Sequence, residues 1–358
     1  MLLGFTMPVA SSNDAIERFD RIHMGHVIGG GSPLTTQDPV QAGSLPQASV
    51  TLNPLTGLPM DESFFGRRPL AISLSNSAPA LPMNGISNAD IVYEVLVEGG
   101  ITRMLALYQD FTNAGLTGSI RSARHYTVSI AESYDAIFVS AGGSPQAYEE
   151  IESRGIAHLD EVAGNHSEMF YRDVNRIRGR TVERYHSAVT TGALVTRWLP
   201  SYGIRMMHNE RHTNALFFVD DGTPPGGGNA QEVVVRFAAG NTSTFSYNNE
   251  RRIYHMHQPS GIFIDENDNS QPAFTNLLIL KTSVAPIPGD GAGRLEIITT
   301  GSGTGYFACG GRFIEINWFR ANKSSPFVYM LRDGSVLTLG RGNTYIGIIP
   351  TEMNVTFR

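Results

Sequence analysis

The chain has 358 residues, of which 41% are hydrophobic and 17% charged, with a net charge of −6. This length is sufficient for two ordinary domains, and the acidic balance argues against a nucleic-acid partner, which would need a basic face. No run of 18 apolar residues occurs, so we expect no transmembrane segment. Cys309 is the single cysteine, which excludes an internal disulfide. We expect no metal and no cofactor.

Residues 1–52 are predicted to form a flexible leader. The opening MLLGFTMPVASS has a short apolar run followed by small residues, like the end of a signal peptide, but lacks a basic region. Residues 1–10 are either the remnant of an export signal or an ordinary disordered start. Three consecutive glycines and three later prolines favour a tether between this start and the folded chain.

Residues 53–216 are predicted to form an N-terminal mixed α/β domain that begins with two strands, PLAISLS (69–75) and IVYEVLV (91–97). The pair Gly99-Gly100 then predicts a hairpin with a two-residue turn. In that register Glu94, Leu96, Glu98 and Arg103 share one face, with Arg103 diagonally between the two carboxylates. The other face, the expected core side, is formed by Val95, Val97, Met104 and Ala106. The charged group is either a solvated ion-pair cluster or an arginine oriented by carboxylates toward a ligand.

A turn that carries two arginines leads into the first predicted helix. Residues at helical spacing follow Ser122, a plausible N-cap, and Arg121 and Arg124 flank this helix start. Cations are unfavourable at a helix N-terminus. Their presence there fits an anion bound between them, or salt bridges to acidic residues of the protein itself.

The next predicted unit is a central strand, AIFVS (136–140), followed by a glycine turn and a second helix. Ser144 is predicted to be the N-cap of that helix, Pro145 its first residue and Gly155 its end. A strand, a glycine turn and a helix N-terminus can hold a carboxylate or phosphate. A plain tight turn is the alternative.

Two further candidates precede the third predicted helix, which Thr190 or Thr191 would cap and Pro200 would end. Arg172 belongs to a basic, irregular segment, FYRDVNRIRGR (170–180). His186 stands just ahead of the helix, where functional loop residues are common.

The rest of the chain differs from the first part in composition and in predicted secondary structure. Residues 217–231 are rich in glycine and proline and are predicted to be a linker. Residues 232–358 contain short strands separated by turns, which predicts a mainly antiparallel, barrel-like β domain. The expected fold class is therefore α+β. No known catalytic signature is present, and Cys309 is interpreted as a buried apolar residue.

Several segments resemble the YerB-like family of bacterial lipoproteins from Gram-positive organisms. The resemblance is carried by NPLTGLP (53–59), RPLAISLSNS (68–77), SNADIVYEVLVEGGITR (87–103), GSIRSARHY (118–126), YDAIFVSAGGSPQAY (134–148), FYRD (170–173), TGSGTGYFACGGRFIEINW (300–318) and DGSVLTLGRGNTYIGIIP (333–350).

The resemblance implies two domains of unknown function and an extracytoplasmic location at the cell envelope. Members of the family typically carry a lipid-accepting cysteine after the export signal, and this chain has no cysteine near its start. Either no lipid anchor is expected, or the sequence begins at the mature start. Members also tend to have His-Asn-Leu-Tyr where this chain has HSAV (186–189), so only the histidine matches.

Three functions are considered. The first is binding of an anionic or carboxylate-bearing small molecule or cell-wall fragment, such as a peptidoglycan fragment, in the N-terminal domain. The second is an envelope-polymer hydrolase or transferase that uses His186 with a carboxylate such as Glu94, and the third is a structural or assembly module. The oligomeric state is not predicted. The candidate ligand-binding residues are Glu94, Glu98, Arg103, Arg121, Arg124, Gly142, Gly143, Ser144, Gln146, Arg172 and His186.

Overall fold

The computed structural model describes residues 50–112, 114–164, 166–210, 212–258 and 261–358. Val50–Arg358 forms one compact unit. Residues 1–49 of the predicted leader (1–52), with the signal-peptide remnant, lie outside the described part, whereas Leu52 at the end of the leader pairs with Pro59. No helix in the described ranges is long and apolar enough to cross a membrane.

The described first part of the chain contains three α-helices and nine strands. The helices are α1 (His125–Ser133), α2 (Pro145–Arg154) and α3 (Gly192–Trp198). The strands are β1 (Leu70–Ser75), β2 (Ile91–Leu96), β3 (Thr102–Tyr108), β4 (Leu116–Gly118), β5 (Ile137–Ser140), β6 (His158–Asp160), β7 (Tyr171–Arg172), β8 (Ala188–Thr191) and β9 (Phe218–Val219).

The described second part is made of strands and turns. Its strands are β10 (Gly228–Asn229), β11 (Glu232–Ala238), β12 (Asn241–Asn248), β13 (Ile253–Gln258), β14 (Gly261–Ile262), β15 (Ala273–Phe274), β16 (Asn276–Thr282), β17 (Val284–Pro286), β18 (Leu295–Ile297), β19 (Gly301–Cys309), β20 (Arg312–Arg320), β21 (Val328–Met330), β22 (Leu339–Gly340), β23 (Thr344–Pro350) and β24 (Val355–Phe357).

One mixed sheet of eleven strands runs through both parts, in the order β10-β20-β19-β16-β23-β2-β3-β1-β5-β6, with β21 paired to β20. The two parts meet where β2 and β23 pair in parallel. Both strands are buried along their whole length. Both faces of the sheet are therefore covered here, as is typical of parallel pairs.

The two faces have different neighbours. On one face, the Tyr126 hydroxyl of α1 donates to the carbonyl of Leu96. On the other face, the ring of Phe245 in β12 lies 4.5 Å from the ring of Tyr345 in β23, measured between centroids. Helices thus cover one side of the central strands and a second sheet covers the other.

The second sheet has six strands, in the order β14-β13-β12-β11-β24 with β15 paired to β13, and its pairs are antiparallel. The α+β prediction is confirmed. The barrel-like closure is not found among the described strands, because β14 and β24 are open edges. The predicted boundaries at 216/217 and 231/232 stay predictions.

Both predicted ends of α2 and the predicted start of α3 are confirmed, whereas α3 ends at Trp198 and Pro200 lies in the following 3-10 turn, Leu199–Tyr202. Ser144 caps α2 by accepting the N–H of Ala147, Pro145 is its first residue, and Gly155 ends it in a left-handed conformation (φ 62°). Thr191 caps α3 by accepting the N–H of Leu194. For α1 the predicted N-cap, Ser122, is wrong by two residues, since Arg124 occupies that position.

The predicted hairpin register is wrong by one residue. Glu94 pairs with Met104 and Val95 pairs with Arg103, because the turn has three residues, Glu98–Gly100, and is closed by the Val97 N–H donating to the Ile101 carbonyl. Both glycines have positive φ, 73° and 71°. A shift of one residue moves side chains to the opposite face. Glu94 and Arg103 therefore lie on opposite sides of the sheet.

Arg320 links β20 to α1 across the helix-covered side. It is fully buried, and its guanidinium donates to the Oγ and carbonyl of Ser129 at 3.1 and 2.6 Å and to the Thr299 Oγ1 at 3.1 Å. Burial lowers its pKa to about 10. Its neutral acceptors compensate a charge that would otherwise be costly in the interior.

Replacing this residue should destabilise the fold. Arg320→Met keeps much of the side-chain volume but leaves several buried acceptors without donors, so we expect the free energy of unfolding to fall by about 3 kcal/mol. Urea unfolding followed by circular dichroism measures this change. Arg332→Met is the control, because Arg332 is 73% exposed and pairs at the surface with Glu315, so its loss costs less than about 1 kcal/mol. Equal effects of the two substitutions would contradict the argument.

Candidate functional site

Three of the predicted arginines meet beside the carboxyl end of β1. The segment that carries Arg121 is attached there, since the Arg121 N–H donates to the Ser73 carbonyl at 2.8 Å. Ala123 pairs with Gly143 in the turn after β5. Arg103 reaches the same place because its strand position is opposite Ser75. We call Arg103, Arg121 and Arg124 the arginine cluster.

Arg103 is a buried cation without an acidic partner. It is 6% exposed, and its Nη1 donates to the Ser122 carbonyl at 2.5 Å. Within the described ranges, no carboxylate lies within 4.0 Å of its guanidinium. Burial, followed by the charge of Arg124, lowers its pKa to about 9. Its predicted position between two carboxylates is therefore wrong.

Arg124 is fully engaged by Glu98. Its Nε and Nη2 donate to the two carboxylate oxygens at 2.6 and 2.7 Å, and its Nη1 donates to the Ala123 carbonyl. Burial alone would raise the pKa of Glu98, but the hydrogen bonds and charge of Arg124 outweigh burial and lower it. Glu98 does orient an arginine of the cluster, as predicted, but that arginine is Arg124 rather than Arg103.

Arg121 has spare hydrogen-bonding capacity. Its Nη1 donates to the Tyr185 carbonyl at 2.5 Å, and its guanidinium carbon lies 5.5 Å from the centroid of the Tyr185 ring. In the structure as described, it forms no ion pair with an acidic side chain. Burial, then the charge of Arg124, lowers its pKa. Arg103 and Arg121 thus give the cluster two positive charges that no carboxylate within 4.0 Å balances.

Two N–H groups of the glycine turn after β5 are bonded within the protein and are not free for a ligand. The Gly142 N–H donates to Asp160 Oδ1 at 2.7 Å, and the Ser144 N–H donates to the Ala123 carbonyl at 3.1 Å. In the bridge between Gly143 and Ala123 the donors are the N–H groups of Ala123 and Ser144, not that of Gly143. Gln146 presents a buried Oε1, which is an acceptor. The alternative interpretation, a tight structural turn, fits this arrangement better than an anion cradle.

Arg172 is not available to a ligand either. Its Nε and Nη2 donate to the two carboxylate oxygens of Glu161, and its Nη1 donates to the Arg184 carbonyl at 2.9 Å. These bonds use the donor edge that would recognise an anion. Arg172 therefore acts as a support beside the cluster.

His186 does lie beside the arginine cluster. It is 4% exposed, its ring centroid is 4.2 Å from that of Tyr185, and its Nδ1 is buried without a hydrogen-bond partner. Burial, followed by the charge of Arg121, lowers the pKa of His186 to about 4. The imidazole is therefore neutral near pH 7.

Glu94, predicted to share this site, lies on the other face of the sheet. It is fully buried and accepts hydrogen bonds from Thr102, Asn76, Ser243 and Tyr345 at 2.6, 2.9, 2.8 and 2.7 Å. The cause is the register of the hairpin. Glu94 joins the second sheet to the first, and it can neither contact a ligand of the cluster nor pair with His186.

Sequence reasoning missed Tyr185 and Asp160. Asp160 ends β6 and accepts from the Gly142 N–H and the Tyr148 hydroxyl at 2.7 and 2.6 Å, which fixes the glycine turn. Its place at the carboxyl end of a strand was a usable signal. Tyr185 had only its neighbour His186 as a signal, because its contact with Arg121 joins residues 64 apart.

A cavity of about 300 Å³ lies elsewhere in the described structure, near Pro69 and Phe327, and none of the predicted ligand-binding residues lines it. No group of three or more His, Cys, Asp or Glu side chains among the described residues is arranged to hold a metal ion.

The two parts of the chain match the two domain models of one known protein family. Residues 55–194 match the model described as "Protein of unknown function (DUF3048) N-terminal domain", and residues 233–346 match the corresponding C-terminal domain. The chain belongs to the DUF3048 family. In this member, the eleven-stranded sheet contains strands from both matched segments.

A DUF3048 relative from Bacillus subtilis (strain 168), named "Putative lipoprotein YerB", is 29% identical over 300 residues, which are 83% of this chain and 86% of the relative. The crystal structure of the YerB protein from Bacillus subtilis matches with a TM-score of 0.73 and 27% identity, covering 86% of this chain and 99% of that chain. The resemblance to the YerB-like family is confirmed.

The environment of Glu94 predicts a pH dependence. Burial raises the pKa of this carboxyl above its ordinary value of 4.5, and its hydrogen bonds only partly offset that effect. The folded state therefore holds the proton more tightly than the unfolded state, so this stabilisation is lost as the pH rises above 4.5. Glu94→Gln removes the titration.

We expect the difference in unfolding free energy, wild type minus Glu94→Gln, to fall as the pH rises from 4.5 through the raised pKa of Glu94. Urea unfolding of both proteins at several pH values measures this difference, in which the titrations common to both proteins cancel. A difference that stays constant or grows with pH would show that Glu94 is ionised in the fold.

Proposed function

We propose that this DUF3048 protein is an extracytoplasmic protein of the cell envelope that binds an anionic, carboxylate-bearing ligand at the arginine cluster. A peptidoglycan fragment is the ligand class of choice. The observation that carries the proposal is the proximity of Arg103 and Arg121, two partly or fully buried guanidinium groups without a carboxylate within 4.0 Å in the described structure.

The electrostatics favour an anion at this position. Burial, and after it the charge of Arg124, lowers the pKa of both Arg103 and Arg121. The contribution of Arg124 means that the positive charges of these guanidinium groups repel one another. Unpaired charges in a partly desolvated site cost several kcal/mol, and an anion placed beside them recovers part of that cost. Because Arg103 is nearly closed off, Arg121 is the group expected to contact the ligand, in a bidentate manner.

Glu98 and Tyr185 give the cluster its geometry. Glu98 neutralises and orients Arg124, so the third arginine shapes the site without competing for the ligand. The Tyr185 carbonyl and ring hold Arg121 on one side. The remaining donors of Arg121 are then positioned before a ligand arrives, which reduces the entropic cost of binding.

The location rests on the relative from Bacillus subtilis, which is named "Putative lipoprotein YerB". Lipoproteins are anchored at a membrane surface by covalent lipid, and an envelope location would place carboxylate-bearing wall polymers within reach. The hydrolase alternative used His186 with a carboxylate such as Glu94. Glu94 cannot be that carboxylate, because it and His186 lie on different sides of the sheet.

The proposal is tested with N-acetylmuramic acid and N-acetylglucosamine, which share the sugar and differ by a lactyl carboxylate. At tenfold excess over Kd at low salt, N-acetylmuramic acid should raise the midpoint of thermal unfolding by about 2 °C, whereas N-acetylglucosamine should not. Arg121→Ala should abolish this shift because the bidentate contact is lost. Differential scanning fluorimetry provides the measurement.

Arg332→Ala is the matched control, since it removes one positive charge from an exposed surface pair and should keep the full shift. Arg121→Lys should keep part of it, because a lysine retains the charge without the planar donor fork. Equal shifts with the two sugars, or an unchanged shift in Arg121→Ala, would overturn the proposal.

A further inference from the structure

A second site of different chemistry is suggested by the cavity of about 300 Å³. It lies at the amino end of β1, where Pro69 contributes to its wall, whereas the arginine cluster lies at the carboxyl end. Six strand residues separate the two ends by ~20 Å. Ligand pockets typically begin at about this cavity volume.

The wall of the cavity is mainly apolar and aromatic. Leu55 and Phe327 belong to it from the protein core, and Leu52 and Phe65 contribute from the surface, where they are 43% and 69% exposed. A smaller apolar cavity of about 150 Å³ is sufficient to bind benzene. The present volume therefore fits a molecule of about two fused rings.

Two stacked histidine rings form a flat part of the cavity wall. The rings of His208 and His212 are stacked, with centroids 3.9 Å apart and an angle of 11° between their planes, and both residues line the cavity. His208 Nδ1 lies 3.2 Å from an Asp135 carboxylate oxygen, which fixes the stack. Burial, then the charge of His208, lowers the pKa of His212 to about 4. A neutral, flat ligand suits this wall better than an ion.

One polar side chain in the wall of the cavity, Gln109, has a hydrogen-bond acceptor without a donor among the described residues. Gln109 is 1% exposed, and its Nε2 donates to the carbonyls of Phe64 and Arg67 at 3.2 and 2.8 Å. Because both partners are carbonyl oxygens, the atom that faces them is the amide nitrogen, and this assigns the orientation of the Gln109 amide. Its Oε1 is buried and has no hydrogen-bond partner among the described residues. A buried acceptor without a donor is unfavourable.

We propose that this cavity binds a neutral, flat and mainly apolar molecule that donates one hydrogen bond to Gln109 Oε1. The aromatic and aliphatic wall supplies the affinity, the histidine stack selects for a planar ring system, and the glutamine selects for an N–H or O–H group. This site does not depend on the arginine cluster.

Indole and benzothiophene are suitable probes, because they have nearly the same shape and only indole has an N–H donor. Titration of the full chain, followed by ligand-observed NMR, should show saturable binding of both, with indole bound about fivefold tighter, as expected for one hydrogen bond. Gln109→Met keeps an apolar wall but removes the acceptor. The preference for indole should then disappear while benzothiophene still binds.

Two further variants keep the test decisive. Thr213→Trp places a large ring at an exposed position of the cavity wall, so it should weaken both probes equally even if Gln109→Met fails to fold. Gln271→Met makes the same chemical change outside the cavity wall and should keep the indole preference. Absence of saturable binding to the wild type, or an indole preference that persists in Gln109→Met, would overturn the proposal. Binding unaffected by Thr213→Trp would also overturn it.

Discussion

The parallel pairing of β2 with β23 is the constraint on which the rest of this structure depends. It joins strands from the two matched family segments into a single sheet and buries them on both faces. A parallel pair of this kind requires cover on each side. The helices provide the cover on one side and the second, antiparallel sheet provides it on the other. The two segments are therefore parts of one core.

Titratable side chains are buried in this core on opposite faces, and each is accommodated in a different way. Glu94 faces the second sheet, where four neutral side chains hydrogen-bond with it but burial still raises its pKa. Arg320 faces α1, where hydroxyl and carbonyl oxygens surround it. Among the described residues, Arg103 donates to one acceptor, the Ser122 carbonyl, and the neighbouring arginines oppose its charge. Only the last of these three arrangements is incomplete without an additional anion.

The proposed recognition sites lie at the two ends of β1 and differ in chemistry. The arginine cluster gathers positive charge close to a neutral histidine. The cavity at the other end is apolar and has one unsatisfied acceptor. A ligand that suits one site is excluded from the other, since an anion loses its hydration without compensation in an apolar cavity. The fold can therefore present two independent surfaces for recognition.

The sequence by itself determined the local elements. The Ser144, Pro145 and Gly155 pattern specified both ends of α2, and the Thr191 cap specified the start of α3, because capping depends on neighbouring residues along the chain. The α+β class and the arginines beside the helix start were also accessible. Each of these depends on interactions over a few residues.

Only the tertiary structure decided which side chains share a face and which donors remain free. One additional residue in the turn of the hairpin moved Glu94 away from Arg103, because side chains alternate along a strand. In the structure Glu98 pairs with Arg124, Glu161 pairs with Arg172, and Asp160 accepts a hydrogen bond from the glycine turn. These partners lie 11 to 26 residues apart in the chain. Distances of that length are set by packing, which local sequence patterns do not encode.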